Sequence, residues 1–184
     1  MSQDKLTETC VSSETVFQGK LMHAKRDVVR LHNGHETTRE YLIHPGAVLV
    51  VPVLDDGRLV FERQFRYPLH RAFIELPAGK IDPNEDPLAT GQREMREETG
   101  YTATDWRYLT TLHPCIGYSD ERILIYLATG LQAGEHHRDD DESLEVFTLT
   151  LAEAMDAMRR GEITDGKTMI ALFWAEKYLS GAWT

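Results

Sequence analysis

Between Gly79 and Tyr101 the chain reads GKIDPNEDPLATGQREMREETGY, and this stretch constrains the fold more than any other. Both ends of a helix are written into it. Asp86 suits the N-cap, because its carboxylate can accept from the free amides of a first turn. Pro87 suits the first helical position, where no amide donor is needed, and Gly100 suits a left-handed stop. The spacing predicts a helix from Pro87 to Thr99 preceded by a loop. Gly91 is its weak point, at about 1 kcal/mol relative to alanine in a helix interior.

Glu94, Glu97 and Glu98 stand at i, i+3 and i+4, which gathers their carboxylates on one face of that helix. Left alone they repel, raise one another's proton affinity and strain the helix. A divalent cation relieves the conflict, and magnesium in particular is held by a few carboxylates together with water and phosphate oxygens. Arg93 can pair with Glu97 one turn on, or brace Glu85 from the loop, and so fix carboxylate positions. An acid-rich helix is more often a solvated surface held by ion pairs. The joint placement of Glu85, Arg93 and the three helical glutamates outweighs that reading. The net charge of −10 agrees, since an acidic chain that handles phosphates brings cations to them. It also argues against a nucleic-acid polymer as partner, which needs a basic face.

From Thr15 to Ile43 short segments alternate apolar and polar residues around Asn33-Gly34, a turn signal, and predict a small antiparallel unit. Ala47 to Leu54 and Leu59 to Phe65, joined by Asp55-Asp56-Gly57, read as a hairpin feeding a mixed sheet, the first strand apolar enough for burial on both faces. Further strands are expected at Trp106 to His113, Ile123 to Thr129 and Leu144 to Leu149. Helices follow at Leu151 to Arg159 and Asp165 to Ser180, with Leu, Ala, Met and Phe at helical spacing. Residues 1–45 then form a strand unit too small to bury a core alone, which points to a homodimer. Residues 46–184 form the main α/β domain. Cys10 and Cys115 stand apart, as free thiols in a reducing compartment do. No leader-like start and no apolar run of about 18 residues is present, so a cytoplasmic protein with no membrane partner is expected.

Gly79, Glu85, Arg93, Glu94, Met95, Glu97, Glu98 and Gly100, with Tyr101 in the last bulky place, fill every position of the Nudix box. On these residues the chain is identified as a member of the Nudix hydrolases. The resemblance implies an α/β fold, the Nudix α/β/α sandwich around a mixed sheet over residues 46–184, beside the small N-terminal antiparallel strand unit. Outside the box the chain resembles the ADP-ribose pyrophosphatase branch in four stretches, RLHNGHETTREYLIHPGAV, QFRYPLHRAFIELPAGKID, HPCIGYSDERILIYLA and DDDESLEVFTL.

That branch implies magnesium-dependent hydrolysis of ADP-ribose to AMP and ribose 5-phosphate, with Mn2+ as a substitute metal. Pro114 falls short of the place where ADP-ribose hydrolases carry a proline. Relatives with similar surroundings act on other nucleoside diphosphate sugars, GDP-mannose among them, so that substrate stays open. A non-catalytic nucleotide sensor is a further reading. The intact glutamates and the absence of a basic helical module after Thr150 speak against it.

By resemblance the metal ligands are Glu94, Glu98, Glu97 and the Ala78 carbonyl, with Glu85 in an outer shell or on a third metal. Arg93 and Glu97 belong to the catalytic set. Arg66 maps near the substrate phosphates, for bidentate contact, or is an exposed strand-end arginine. Arg39 maps to a position that reaches the nucleotide, in relatives across a dimer interface, or is an edge-strand charge. Glu75 and Glu121 lie by the mouth of the site, to hold substrate or metal-bound water, or serve as ion-pair partners. The base comes from the acidic loop Asp139-Asp140-Asp141-Glu142, where Glu142 and Asp140 take the branch's two glutamate positions and Glu142 is the choice. The neighbours His136 and His137 read as solvated loop residues.

Overall fold

The alternating N-terminal segment folds as an antiparallel sheet of β1 (Thr9–Gln18), β2 (His23–Arg30) and β3 (Glu36–Ile43), in that order. The strand read from Thr15 begins earlier, at Thr9. Gly34 makes the β2–β3 turn with φ of 84° and donates its amide to Leu31 O at 2.9 Å. Charges match across the strands: Arg26 lies between Glu14 on β1 and Glu40 on β3 in register and bonds both. The computed structural model describes residues 5–134 and 143–183, and these strands belong to one of its two compact units, Met1–Pro45 with Cys115–Arg122. Leu42 N donates to Tyr118 O at 2.9 Å, and His44 N to Asp120 Oδ1 at 2.7 Å, which ties the later segment to β3. Val29 is the single buried hydrophobic residue among the described residues of this unit.

The second unit, Gly46–Pro114 with Ile123–Thr184, holds two sheets. A mixed sheet runs β7 (Ala78–Lys80), β4 (Ala47–Pro52), β9 (Ile123–Ala133), β8 (Tyr101–Leu112), with β4 parallel to β9 and antiparallel to β7. A second sheet runs β10 (Leu144–Thr150), β5 (Arg58–Arg66), β6 (Arg71–Glu75). The helices are α1 (Pro87–Thr99), α2 (Leu151–Arg159) and α3 (Gly166–Leu179).

Strand β4 is apolar on both faces because it serves two cores. Leu49 and Val51 pack with Ala154 and Ala157 of α2 and Leu172 and Ala175 of α3. Val48 and Val50, pointing the other way, pack with Met95 of α1 and Ala128 of β9. This is the α/β/α layering, and each fully buried side chain of this size contributes about 1.5–3 kcal/mol. Gly91 has its reason here. A Cβ on it would lie 3.0 Å from Val48 Cγ1, so the helix glycine lets α1 settle directly on β4.

The hairpin expected between β4 and β5 does not form along its length. The tight turn is present, with Leu54 N donating to Arg58 O at 2.9 Å and Gly57 at φ 82°. Only Val53 and Leu59 bridge, after which the chain passes into the other sheet. Both edges of β4 are taken by β7 and β9, and Pro52 at its end has no amide to give a ladder. Strands β8 and β9 run on beyond their expected ends as a ribbon pairing Tyr101 with Ala133. Helix bounds agree with the sequence reading, α3 having Asp165 and Ser180 as its caps. Among the described residues no helix is long and apolar enough to cross a membrane.

Candidate active site

Helix α1 is fixed where its sequence says. Asp86 Oδ1 accepts from Leu88 N at 2.9 Å and Ala89 N at 3.3 Å, and Gly100 ends the helix at φ 79°. Its acidic face meets the loop before it through Arg93. Arg93 Nε and a terminal nitrogen donate to the two oxygens of Glu85, both at 2.9 Å, and its other terminal nitrogen donates to Glu94 at 2.9 Å and Glu97 at 3.1 Å. Both roles read for Arg93, the brace on Glu85 and the pair with Glu97, occur together. Thr90 Oγ1 also donates to Glu85, at 2.7 Å. The hydrogen bonds from Arg93, then that from Thr90, hold the Glu85 carboxyl down to about 2. The same bond to Glu85 raises Arg93 above the ordinary arginine range.

Glu98 is buried, and its Oε2 accepts from Ala78 N at 3.1 Å, which ties the last helical acid to the start of β7. Glu94 lies against Gly79. A Cβ built on Gly79 would fall 1.9 Å from the Glu94 carboxyl carbon, so the box glycine is the cradle in which that carboxylate rests. Glu85, Glu94 and Glu97 share the one Arg93 guanidinium, Glu98 lies on the same helix, and this excess of hard oxygen donors fits a divalent cation. Among the described residues no three acidic, histidine or cysteine side chains form a ready-made ligand cluster. Arg93 bonds three of the box glutamates instead.

The cradle gives a direct expectation. Gly79→Ala should displace the Glu94 carboxylate, which is the end of a flexible side chain, and lower kcat by about 10- to 100-fold. The melting temperature should hardly move, because the nearest atoms the added Cβ meets all belong to the Glu94 side chain and Gly79 is not at positive φ. A variant with wild-type kcat would show that Glu94 does not need this position.

Arg66 and Glu75, read separately from the sequence, are partners. Arg66 donates Nε to Glu75 Oε1 at 2.7 Å and a terminal nitrogen to Oε2 at 2.8 Å. Lys167 from the first turn of α3 also bonds Glu75. Burial pushes the Glu75 carboxyl up, but the Arg66 bonds and the Lys167 charge outweigh it and leave it below the usual carboxylate range. The Glu75 bond in turn raises Arg66. These side chains line a cavity of about 280 Å³ with Phe73 and Asp165. A larger one, about 430 Å³, is lined by Gln92, Arg93, Arg96 and Trp106 and includes none of the glutamates, so donor chemistry rather than volume marks the site. Lys167 escaped sequence reading because a lone lysine opening a helix carries no spacing signal.

Arg39 and Glu121 belong to the first unit. Arg39 forks onto the Glu8 carboxylate at 2.6 and 3.0 Å, and Glu121 stands 3.7 Å from His44 Nε2. Asp140 and Glu142, with His136 and His137, lie outside the described residues.

The NUDIX domain family matches residues 43–172, and the nucleoside diphosphate sugar hydrolase N-terminal domain matches residues 8–42. The chain is 39% identical to the ADP-ribose pyrophosphatase of Bacillus subtilis (strain 168), over 91% of each chain. It is 37% identical to the methanol dehydrogenase activator of Bacillus methanolicus, over 90% of each. A crystal structure of an ADP compounds hydrolase superposes with a TM-score of 0.87 at 26% identity, covering 98% of both chains.

Proposed function

Since the chain belongs to the Nudix family of hydrolases, we propose that it cleaves the pyrophosphate bond of ADP-ribose to AMP and ribose 5-phosphate with Mg2+, for which Mn2+ can substitute. The observation that carries this reading is the i, i+3, i+4 placement of Glu94, Glu97 and Glu98 on α1, with Glu94 and Glu97 bonded by Arg93, Glu94 seated against Gly79 and Glu98 bonded to Ala78 N. The likeness to an ADP-ribose pyrophosphatase over nearly the whole chain supports the choice of substrate.

Glu94 and Glu98 are assigned as direct ligands with the Ala78 carbonyl, Glu97 as a ligand or bridge, and Glu85 as an outer-shell ligand held by Arg93. When bound, the metal supplies charge neutralisation on the bridging phosphates and a more acidic water. Arg93 keeps the carboxylates apart and in place. Arg66 orients the phosphates through the guanidinium edge that Glu75 leaves free. Glu142 takes the proton from the attacking water at its carboxylate, with Asp140 as the second loop acid. Arg39 and Glu121 are assigned to the nucleotide and to the substrate mouth. Most of the work is positioning, as phosphoryl transfer requires.

Release of AMP from ADP-ribose should require a divalent cation, and a panel with GDP-mannose and other nucleoside diphosphate derivatives ranks the substrates. Undiminished turnover in excess EDTA would sink the assignment. The reading includes a cytoplasmic location, supported by the free thiols Cys10 and Cys115. It also includes a homodimer through the N-terminal strands, supported by a three-stranded sheet with only Val29 buried among its described residues. Sedimentation at micromolar concentration should give a dimer mass, and a monomer alone would contradict it.

A further inference from the structure

Helix α3 opens beside the buried carboxylate of Glu75, and its first turn grips the chain that leads into the box. Lys167 Nζ donates to Glu75 Oε2 and, at 2.9 Å, to Asp165 Oδ2. Thr168 is fully buried and its Oγ1 accepts from Leu76 N at 3.0 Å. Asp165, the N-cap, accepts from Thr168 N at 3.0 Å and so fixes both neighbours. Thus Asp165, Lys167 and Thr168 set the positions of Glu75 and Leu76, two residues ahead of Ala78.

Glu62, also buried, stands opposite Glu75 in the β5–β6 register, so two acidic side chains share this part of the sheet. Arg66 feels both acids and Asp165. With Lys167 sharing Glu75, the Arg66 side chain keeps 41% of its surface open at the rim of the 280 Å³ cavity.

We propose that Lys167 is a positioning residue for the hydrolysis, holding the Glu75 carboxylate so that Arg66 presents its outer guanidinium edge to the substrate phosphates. The proposal rests on the phosphate-orienting role given to Arg66 above. Lys167→Met keeps the apolar stem and removes the cation, which among the described residues leaves Glu75 to Arg66 and draws that guanidinium inward.

The test uses the full chain with Mg2+ and ADP-ribose, reading KM, kcat and melting temperature. Lys167→Met should raise KM about tenfold while kcat stays within about threefold, and Lys167→Arg should restore KM. The double variant Arg66→Ala with Lys167→Met should be no worse than Arg66→Ala, because one residue acts through the other. Should the half-buried methionine unfold the chain, Lys167→Gln, which keeps a donor without the charge, is read by the same KM. A lower melting temperature with unchanged KM would overturn the proposal, as would losses that multiply in the double variant. Arg66→Ala at wild-type KM would overturn the Arg66 reading and this proposal with it. A raised KM in Arg66→Ala beside a silent Lys167→Met would overturn the proposal alone.

Discussion

Glu98→Gln is expected to lower turnover by at least about 100-fold, the scale of a lost metal ligand or its outer-shell partner, in a protein that still folds. Folding should survive because the glutamine carbonyl can still accept from Ala78 N, the contact that Glu98 makes at 3.1 Å, with the side chain in its buried place. What disappears is one negative charge. The remaining set of Glu94, Glu97 and the Ala78 carbonyl should hold a divalent cation less tightly, so the Mg2+ concentration for half-maximal rate should rise as kcat falls. Titration of activity with Mg2+, beside a melting curve, separates this from unfolding. A loss of under about threefold would mean that Glu98 is not a ligand.

Glu142→Gln should lower kcat by about 100- to 10,000-fold, the usual contribution of a general base, while KM and metal affinity stay close to wild type. A base acts in the transition state and a ligand in the ground state as well, so the two variants should part on metal affinity even where their kcat losses are alike. Asp140→Asn, measured in parallel, tells the loop acids apart. If it shows the larger kcat loss and Glu142→Gln is nearly silent, the loop register shifts and the base moves to Asp140.

What could be read before folding was what is local. Helix α1 is bounded by its own chemistry, Asp86, Pro87 and Gly100, and it forms where they say. The i, i+3, i+4 spacing of Glu94, Glu97 and Glu98 on that helix was legible in the same way, since sharing one helix face needs no knowledge of the rest of the chain. The hairpin between β4 and β5 failed for the complementary reason. Asp55-Asp56-Gly57 specifies a reversal and says nothing of which sheet receives each strand, a choice settled when β7 and β9 take both edges of β4. Gly91 read as a weakness until Val48 appeared beneath it. Lys167 and Thr168 were invisible because their partners Glu75 and Leu76 lie some 92 residues away in sequence.

That distance bears on the order in which the molecule can be made. Strand β4 pairs in parallel with β9, a match that no short turn can bring about, and α1 lies within the connection between them. The floor beneath α1 combines Val48 and Val50 of β4 with Ala128 of β9, so Met95 has no complete seat until the later strand docks. A nascent chain that has emerged only as far as Gly100 carries every glutamate of the box and the Arg93 that bonds three of them, but lacks the β9 part of the floor on which α1 rests. The entropy of closing so long a loop falls early, before its contacts repay it, and such topologies fold slowly. If the box binds its metal as proposed, metal binding during refolding should therefore trail helix formation and coincide with the closing of the β4–β9 seam, which makes the metal a reporter of that long-range step.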